Sequence, residues 1–564
     1  MTQAAGQTAR KFSPTEEVDF VIVGSGGAGG VLAKELSTAG FRVVVLEQGR
    51  YLREDDFQHD EFKVIFQNAL TNDWKRQPNT FRKTEQDKAN VQPCILYGRV
   101  VGGGTVHFTA NYWRFHEIDF VERSKLGAIP GTGFADWPIT YADLEPYYTK
   151  VEWEVGVSGQ AGVSPFDPPR SKPYPLPPLP VKSTGVLLER GARKLGWHPF
   201  PAPIAILSGN YRDRAWCVNC GYCEFFGCEV GAKSSTLASV IPLAEKTGRC
   251  EIRPESYVRE IRVGKDGLVT GAVYFDAKKE EHFQKAKAVI VCANGVETPR
   301  LLLLSQSAQF PQGLANSSGL VGKYLMFNSQ AFANGVYEHP LNEYKSQVVT
   351  RVIHDFYQMD PKLGFYGGGG MDMRFDQLPI GFALGGMPPD TPQWGAEFKA
   401  MVAEYFTRTA SVFCHATSLA VETNSVSLDP ETKDAWGLPA ARITYKDHPD
   451  DLKTDQFLLD RAMELLEASG ARKKWAVPVQ EQQFGVHLLG TCRMGNDPQT
   501  SVINRDHRTH DVPNLFLCDG SSFVTSGRGQ PTMTIQALAF RAADRIVRLA
   551  RRGELGVAAR PGRT

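Results

Sequence analysis

Any fold of this chain must accommodate a glycine-rich loop near its N-terminus, Gly24-Ser25-Gly26-Gly27-Ala28-Gly29. A short apolar run at 18–23 precedes the loop, and a segment with helical spacing and a second β-rich run at 41–46 follow it. In such a βαβ unit the first glycine of G-x-G-x-x-G permits a tight turn, the second lets backbone N–H groups approach a pyrophosphate, and the third lets the helix pack closely. The sequence therefore predicts a dinucleotide site at Gly24, Gly26 and Gly29.

Glu47, at the end of the second β-rich run, strengthens this interpretation. A carboxylate at this place accepts hydrogen bonds from the adenosine ribose hydroxyls and repels a 2′-phosphate. A glycine-rich loop alone can be an ordinary turn, but the strand, the helix and the acidic residue together favour dinucleotide binding. These residues do not separate NAD from FAD.

Size and charge limit the class of protein. A chain of 564 residues exceeds what one core supports, so two or more structural units with a cleft between them are expected. Lys and Arg number 63 against 62 Asp and Glu, without a basic stripe, which argues against nucleic acid as a partner. The N-terminal segment lacks the apolar region of an export signal, and no long uninterrupted apolar window follows. We therefore expect no membrane span and a cytoplasmic location.

Five motifs, in order along almost the whole chain, resemble those of the glucose-methanol-choline oxidoreductases, a family of FAD enzymes that act on alcohols and sugars. The motifs are the loop at 24–29, GGGTVH at 102–107, GVETPRLLLLS at 295–305, HLLGTCRMG at 487–495, and Asp519-Gly520 followed by PTMTI at 531–535. The resemblance is closest to the large subunits of bacterial FAD-dependent sugar dehydrogenases and to pyranose oxidase. It implies an α/β fold (α+β overall), in which a Rossmann-type FAD-binding domain carries a second, substrate-binding domain on a mostly antiparallel sheet.

The expected organisation divides the chain into five segments. The FAD-binding domain takes 17–165, 216–310 with a cysteine cluster, and 481–550 with the catalytic residues. The proline-rich segment 166–215 is predicted to be a linker and an excursion into the substrate domain. The bulk of the substrate-binding domain is expected at 311–480.

Local patterns predict further elements in the middle of the chain. Residues 251–263 and 268–275 look like paired strands joined by a glycine-containing turn. Residues 288–292 form a fully apolar strand, and helix-forming residues follow at 299–305.

The resemblance also assigns residues to the FAD site. Asp519 and Gly520 match the family segment that touches the pyrophosphate and the ribityl chain. The amides at the start of the last helix are expected to face flavin N1 and O2, where reduced flavin is anionic. The other assigned positions are Gly103, Gly104, Thr105, His107, Val258, Pro531, Thr532 and Met533.

His107 is a candidate for a covalent bond to the flavin. In pyranose oxidase a histidine at the same offset after the glycine run bonds to the 8α-methyl group, and the sugar dehydrogenases share the segment. The resemblance leaves two outcomes open, which are a covalent tether and a histidine packed noncovalently beside the isoalloxazine ring.

His487 matches the family's catalytic histidine. Alcohol oxidation by a flavin needs a base that takes the hydroxyl proton while hydride leaves carbon, and a neutral imidazole has a suitable pKa. Gln530 stands where the family has a second His or Asn. Its amide can donate to a developing alkoxide and accept from a hydroxyl, but it is not a base, so His487 is expected to carry proton transfer alone. The alternatives are a structural histidine and a glutamine that caps the helix or faces solvent.

Four cysteines, Cys217, Cys220, Cys223 and Cys228, form a C-x2-C-x2-C-x4-C cluster. Thiolates at this spacing can ligate an iron–sulfur cluster, and the similar sugar dehydrogenases hold a three-iron cluster in this region, with a different cysteine spacing. Four thiolates can also bind zinc, or lie metal-free under a loop. An iron–sulfur cluster would send electrons one at a time to a redox partner such as a cytochrome, whereas oxygen or a diffusible acceptor fits a metal-free protein.

The predicted function is FAD-dependent oxidation of a hydroxyl group of a sugar, glycoside or related polyol to a carbonyl, by hydride transfer to flavin N5 with His487 as base. The alternatives are a sterol or long-chain alcohol oxidase and a flavin-binding protein without turnover. Sugar dehydrogenase large subunits can be exported with a small partner subunit. The resemblance therefore also allows an accessory subunit and a periplasmic location.

Overall fold

The computed structural model describes residues 11–358 and 360–556. Within these ranges the strands form three sheets, and α-helices pack around them. The strands are β1 Val18–Val23, β2 Val43–Leu46, β3 Asn79–Arg82, β4 Asn90–Val91, β5 Phe200–Pro201, β6 Cys250–Arg253, β7 Tyr257–Val263, β8 Val269–Phe275, β9 Glu281–Val291, β10 Gln330–Val336, β11 Arg351–Ile353, β12 Gly369–Arg374, β13 Thr409–Ala416, β14 Ser425–Lys433, β15 Pro439–Thr444, β16 Lys473–Ala476 and β17 Leu515–Leu517.

The helices alternate with the strands in the first part of the chain and close it at the end. They are α1 Gly27–Thr38, α2 Glu122–Leu126, α3 Tyr141–Val155, α4 Ser183–Lys194, α5 Val240–Lys246, α6 Asn294–Leu304, α7 Pro379–Gly381, α8 Gly395–Tyr405, α9 Pro449–Ser469 and α10 Pro531–Arg551. In the described part of the chain, no helix has the length and apolar character needed to cross a membrane.

The first sheet has the order β6-β2-β1-β9-β8-β7, with β17 beside β9. Strands β6, β2, β1, β9 and β17 are parallel, so their carboxyl ends meet at one edge. β1 and β2 are apolar and almost wholly buried, as expected of parallel strands covered on both faces. Ligands of open α/β sheets bind beyond the carboxyl ends of the strands, so this edge is the expected ligand site.

The segment predicted as one strand at 251–263 is two strands. β6 runs parallel to β2 at the edge of the sheet, whereas β7 pairs with β8 in the predicted antiparallel hairpin. Pro254 lies between them and has no N–H to give to a ladder. The chain therefore leaves the parallel half of the sheet here and enters the antiparallel half.

Helix α6 begins five residues before its predicted start at 299. Asn294 Oδ1 accepts the backbone N–H groups of Val296 and Glu297 at 2.9 and 3.1 Å and so opens the helix. Pro299 inside the helix cannot donate to the carbonyl of Gly295. Thr491 Oγ1 donates to that oxygen at 2.7 Å instead, which ties α6 to the segment that follows His487.

The second sheet has the order β16-β10-β13-β12-β11-β5, and every neighbouring pair is antiparallel. This confirms the expected antiparallel sheet. Helices α4 and α9 cover it, and their leucines pack against buried side chains of β12 and β13. Its edge strand β5 comes from the predicted excursion at 166–215.

A third, four-stranded sheet has the order β14-β15-β3-β4. β15 runs parallel to β3, with Ile443 opposite Phe81. The predicted segments 311–480 and 17–165 therefore share a sheet and are not cleanly separate in space.

Candidate active site

One cavity of about 740 Å³ extends from the carboxyl edge of the first sheet to the second sheet. On one side lie residues that follow β1, β2, β9 and β17. On the other side lie side chains of β10, β12 and β13, among them Phe332, Arg374 and His415. Its volume is within the usual range for ligand sites. A ligand in this cavity can therefore contact residues of both sheets.

The glycine loop forms one end of the cavity. Gly24 has φ +92°, and a Cβ there would lie 2.5 Å from the carbonyl oxygen of Cys292, so this turn requires glycine. Gly26 lines the cavity, where α1 begins at Gly27 with its first N–H groups unpaired by a side-chain cap. Gly29 does not line the cavity. A Cβ at Gly29 would overlap the carbonyl oxygen of Gly24, which fits the packing role predicted for the third glycine.

Glu47 lies at the carboxyl end of β2 and lines the same end of the cavity. Its Oε2 accepts from Ser25 N at 3.0 Å and Ser25 Oγ at 2.7 Å, and its Oε1 accepts from Gly49 N at 2.9 Å. Burial raises the pKa of Glu47, and these three hydrogen bonds oppose the rise. The carboxylate is held rigidly beside the glycine loop.

The second glycine segment folds against the first. A short 3-10 helix spans Gly103–Val106, and a Cβ on Gly103 would lie 2.8 Å from Gly26 Cα. Gly102 N donates to Ser25 Oγ at 3.0 Å, and Thr105 Oγ1 donates to Gly102 O at 2.6 Å. Gly103, Gly104 and Thr105 all line the cavity, as does Val258 at the same end. The structure therefore brings these predicted cofactor residues together.

His107 lines the cavity with a free ring nitrogen. Its buried Nε2 has no hydrogen-bond partner among the described residues. Burial lowers the pKa of His107 to about 4, and the charge of Lys233 adds to the effect. The ring is neutral, and no group of the described chain bonds to Nε2.

Asp519 and Gly520 follow β17 and line the cavity. Asp519 Oδ2 accepts from Thr298 Oγ1 at 2.6 Å and from Asn294 N at 3.1 Å, and Oδ1 accepts from Ser521 N at 2.7 Å. These bonds fix the carboxylate between β17 and the start of α6.

His487 and Gln530 line the cavity together. Burial, and to a smaller extent the charge of His415, lower the pKa of His487 to about 3. His487 Nδ1 is buried and makes no hydrogen bond to the described chain. Gln530 immediately precedes α10, and its Nε2 lies 3.0 Å from His415 Nδ1.

The start of α10 contributes Pro531, Thr532 and Ile535 to the cavity, but not Met533. Met533 is fully buried in the main core. The Met533 side chain therefore faces away from the cavity, and the expected contact between the amides at the start of α10 and the flavin stays a prediction. Each helical residue turns about 100°, so residues 531, 532 and 535 share a face and residue 533 points away from it.

Three residues of the second sheet that the sequence reasoning missed also belong to the site. His415 Nε2 lies 2.8 Å from Asp372 Oδ2, and Arg374 Nε and Nη2 donate to the two oxygens of Asp372 at 2.6 Å each. His415 and Arg374 line the cavity. In Met371-Asp-Met-Arg374, charged and apolar residues alternate along a strand, and this was the available signal.

The four cysteines surround a second, much smaller cavity of about 20 Å³. In the described chain all cysteines are free thiols, and no three of these sulfurs lie within 4.8 Å of one another. Tetrahedral zinc at about 2.3 Å from sulfur requires sulfurs about 3.8 Å apart, so this arrangement does not fit a mononuclear zinc site. Glu224 and Phe225, within the same segment, line the main cavity, and Phe225 N donates to His107 O at 2.7 Å.

Comparison with known proteins defines the class. Models of the GMC oxidoreductase family match residues 18–326 and 420–539, so the chain belongs to this family of flavoprotein oxidoreductases. It is 36% identical to 2-methyl-1,2-propanediol dehydrogenase of Mycolicibacterium austroafricanum, over 94% of this chain and 96% of that protein. It is 29% identical to the fructose dehydrogenase large subunit of Gluconobacter japonicus, over 94% and 98%. A variant of Aspergillus oryzae formate oxidase has the same fold, with a TM-score of 0.67 at 15% identity over 96% of this chain and 100% of that chain.

Proposed function

We propose that this enzyme oxidises a hydroxyl group of a polyol, sugar or glycoside to a carbonyl with FAD as the hydride acceptor. The observation that carries the proposal is that a single cavity joins the dinucleotide loops at one end to His487 and Gln530 at the other. The similarity to a diol dehydrogenase and to a sugar dehydrogenase subunit supports a small hydroxylated substrate.

The residues present fit FAD. Gly26, Gly103 and Gly104 leave the backbone open to a pyrophosphate, and Glu47 is fixed where a ribose would lie. His107 lines the cavity, and its buried Nε2 has no hydrogen-bond partner among the described residues. Bound FAD would accept the hydride that leaves the substrate carbon.

His487 is proposed to take the hydroxyl proton. Because burial keeps its imidazole neutral, a ring nitrogen can accept the proton while the carbon–hydrogen bond breaks with its electron pair. Gln530 beside it has no titratable proton and orients the substrate. His487→Ala should lower the rate of flavin reduction by about 10² to 10⁴.

The charged side chains in the cavity favour a hydroxylated substrate over a sterol or a long-chain alcohol. Glu224, Arg374 and Asp376 line the part of the cavity formed by the second sheet. An apolar chain or a sterol would shield these charged groups from water and offer them no hydrogen bond, which is costly.

Anaerobic titration of the holoenzyme with a panel of diols, monosaccharides, glycosides, sterols and long-chain alcohols tests the function. We expect diols or sugars to bleach the oxidised flavin band. Bleaching by sterols or long-chain alcohols alone would refute the substrate class, and no bleaching by any alcohol would refute the reaction.

A covalent bond between His107 and the flavin is the finer proposal for the cofactor. The free Nε2 of a neutral imidazole supports it, because a tether needs an unprotonated, unpaired nitrogen. Acid precipitation should leave a yellow pellet, and His107→Ala should release the colour into the supernatant. A colourless wild-type pellet with free FAD in solution would refute the tether.

The electron acceptor depends on the cysteine segment. We propose an iron–sulfur cluster there, because thiolates at C-x2-C-x2-C spacing can ligate one and all four cysteines line one small pocket. Such a relay would pass electrons to a redox partner such as a cytochrome, and a small accessory subunit would fit this arrangement. If the four cysteines hold no metal, oxygen or a diffusible acceptor would take the electrons. Iron and acid-labile sulfide in anaerobically purified, fully flavinated protein test this, and their absence would refute it.

A further inference from the structure

Gln530 is held by a buried chain of hydrogen bonds that begins on the second sheet. Arg374 binds both oxygens of Asp372, Asp372 Oδ2 lies 2.8 Å from His415 Nε2, and His415 Nδ1 lies 3.0 Å from Gln530 Nε2. Asp372, Arg374 and His415 are at most 3% exposed. Buried groups in a chain of this kind restrict each other's orientation.

The carboxylate of Asp372 fixes the tautomer of His415. Burial alone would raise the pKa of Asp372, but the contacts with Arg374 and His415 lower it to about 2, so the group only accepts. An unprotonated Nε2 would place its lone pair against Oδ2 at 2.8 Å, which is repulsive. The proton of the neutral ring therefore lies on Nε2, and Nδ1 is an acceptor. Arg374 Nη2 donates one hydrogen to Oδ2 at 2.6 Å and lies 3.2 Å from Nε2, which is longer than the 2.8 Å contact between Nε2 and Oδ2 that requires a proton between them.

The imidazole ring cannot turn over to exchange its nitrogens. The ring of Trp113 packs edge-on against His415 at 5.2 Å between centroids, and the ring of Phe413 lies 5.0 Å away. The remaining terminal nitrogen of Arg374, Nη1, lies 3.6 Å from Glu224 Oε2 and 3.8 Å from Asp376 Oδ2. Carboxylates therefore hold the guanidinium group on both sides.

An acceptor at His415 Nδ1 selects one orientation of the Gln530 amide. The NH2 group must face Nδ1, since the carbonyl oxygen there would meet a second lone pair. No hydrogen bond within the described chain uses Gln530 Oε1. Gln530 lines the cavity, so Oε1 is the atom left to meet a ligand.

We propose that Asp372 and His415 are positioning residues that hold Gln530 Oε1 towards the substrate as a hydrogen-bond acceptor, and that the site therefore selects substrates with two adjacent hydroxyl groups. This rests on the proposed function, in which His487 accepts the proton of the reacting hydroxyl. A single hydroxyl has one proton and cannot donate to both acceptors. A vicinal diol gives one hydroxyl to His487 and the neighbouring hydroxyl to Gln530.

The test compares 1,2-propanediol with 2-methoxy-1-propanol, in which the neighbouring oxygen accepts but does not donate. In the wild-type holoenzyme, kcat/KM for flavin reduction should favour the diol by about tenfold or more, because the ether leaves Gln530 Oε1 unpaired and facing an oxygen. Titration of the oxidised flavin absorbance with each compound gives the same comparison for binding, without turnover.

Paired variants separate positioning from general damage. Gln530→Met keeps the length of the side chain but removes the acceptor, and it should abolish the preference. His415→Leu frees the amide and should lower the preference towards unity, whereas His415→Asn keeps an acceptor where Nδ1 stands and should retain part of it. His354→Gln removes another buried histidine of the same aromatic cluster that does not line the cavity, and it should leave the preference unchanged.

The outcomes distinguish the two proposals. Flavin reduction with equal kcat/KM for diol and ether, or variants that lower both values in the same proportion, would overturn the positioning proposal alone. If no alcohol reduces the flavin, the proposed function fails, and the binding titrations still decide whether the site prefers two donors.

Discussion

Acidification tests how burial tunes His487. Its pKa is lowered to about 3 from the ordinary value near 6.5, because burial disfavours the charged ring and because His415 lies nearby. A base works only when unprotonated, so a lowered pKa moves the acid limit of the reaction to lower pH. At pH 5 a histidine with a pKa of 6.5 would be about 3% neutral, whereas His487 should remain about 99% neutral.

The measurement is the limiting rate of anaerobic flavin reduction, and that rate divided by substrate Kd, from pH 8 to pH 4.5 in a stopped-flow instrument. Both should change less than about twofold down to pH 5. Flavin absorbance and circular dichroism at each pH show whether the holoenzyme is intact. A tenfold to thirtyfold fall between pH 7 and pH 5 in intact protein, with a midpoint near 6.5, would contradict the assignment of His487 as a buried neutral base.

Three further predictions concern cofactor binding and stability. Gly29→Ala should lower FAD content and the melting temperature, because the new Cβ overlaps the carbonyl oxygen of Gly24. The control Gly209→Ala, whose Cβ meets only Leu176 at 3.8 Å, should change neither. Equal effects of the two variants would contradict the packing argument. Glu47→Gln should weaken FAD binding about tenfold in a fluorescence titration, since the amide loses acceptors for Ser25, and unchanged affinity would refute the role. Arg528→Met should cost about 3–5 kcal/mol in chemical unfolding, because it leaves two buried carboxylates unpaired, and adding Glu122→Gln should recover part of it.

The FAD end of the site could be predicted from sequence because its determinants are local. Gly24, Gly26 and Glu47 lie within one βαβ unit, and the spacing along the chain fixes their spacing in space. The structure brings His487 to the same cavity, although it is far away in sequence. The assignment of His487 to the site could be predicted only from the family motif, because no local periodicity indicates it.

The second-sheet half of the site could not be predicted, because it depends on strand register. His415 on β13 meets Asp372 on β12 only through an antiparallel pairing that places Asp372 opposite Phe413. A shift of one residue would turn His415 to the other face of the sheet. Residues 311–480 contain no sequence motif from which this strand register could be predicted. The burial of the Met533 side chain away from the cavity could not be predicted either, since a motif gives residue order and not helical face.

Within the described ranges, the site has no second histidine next to α10. Two features explain how it can work without one, namely the buried hydrogen-bond chain from Arg374 to Gln530 and the neutral His487. A histidine there could share proton transfer, but it would also bring a second group that titrates. A glutamine cannot take a proton, so it contributes only if its amide has a fixed orientation. His415, on the second sheet, fixes the orientation of the Gln530 amide, and Asp372 fixes the tautomer of His415. Both conditions hold over the pH range in which His487 remains neutral. With Gln530 at this position, the site therefore presents a fixed acceptor in place of a second base, and under the positioning proposal this favours substrates that offer two hydroxyl donors.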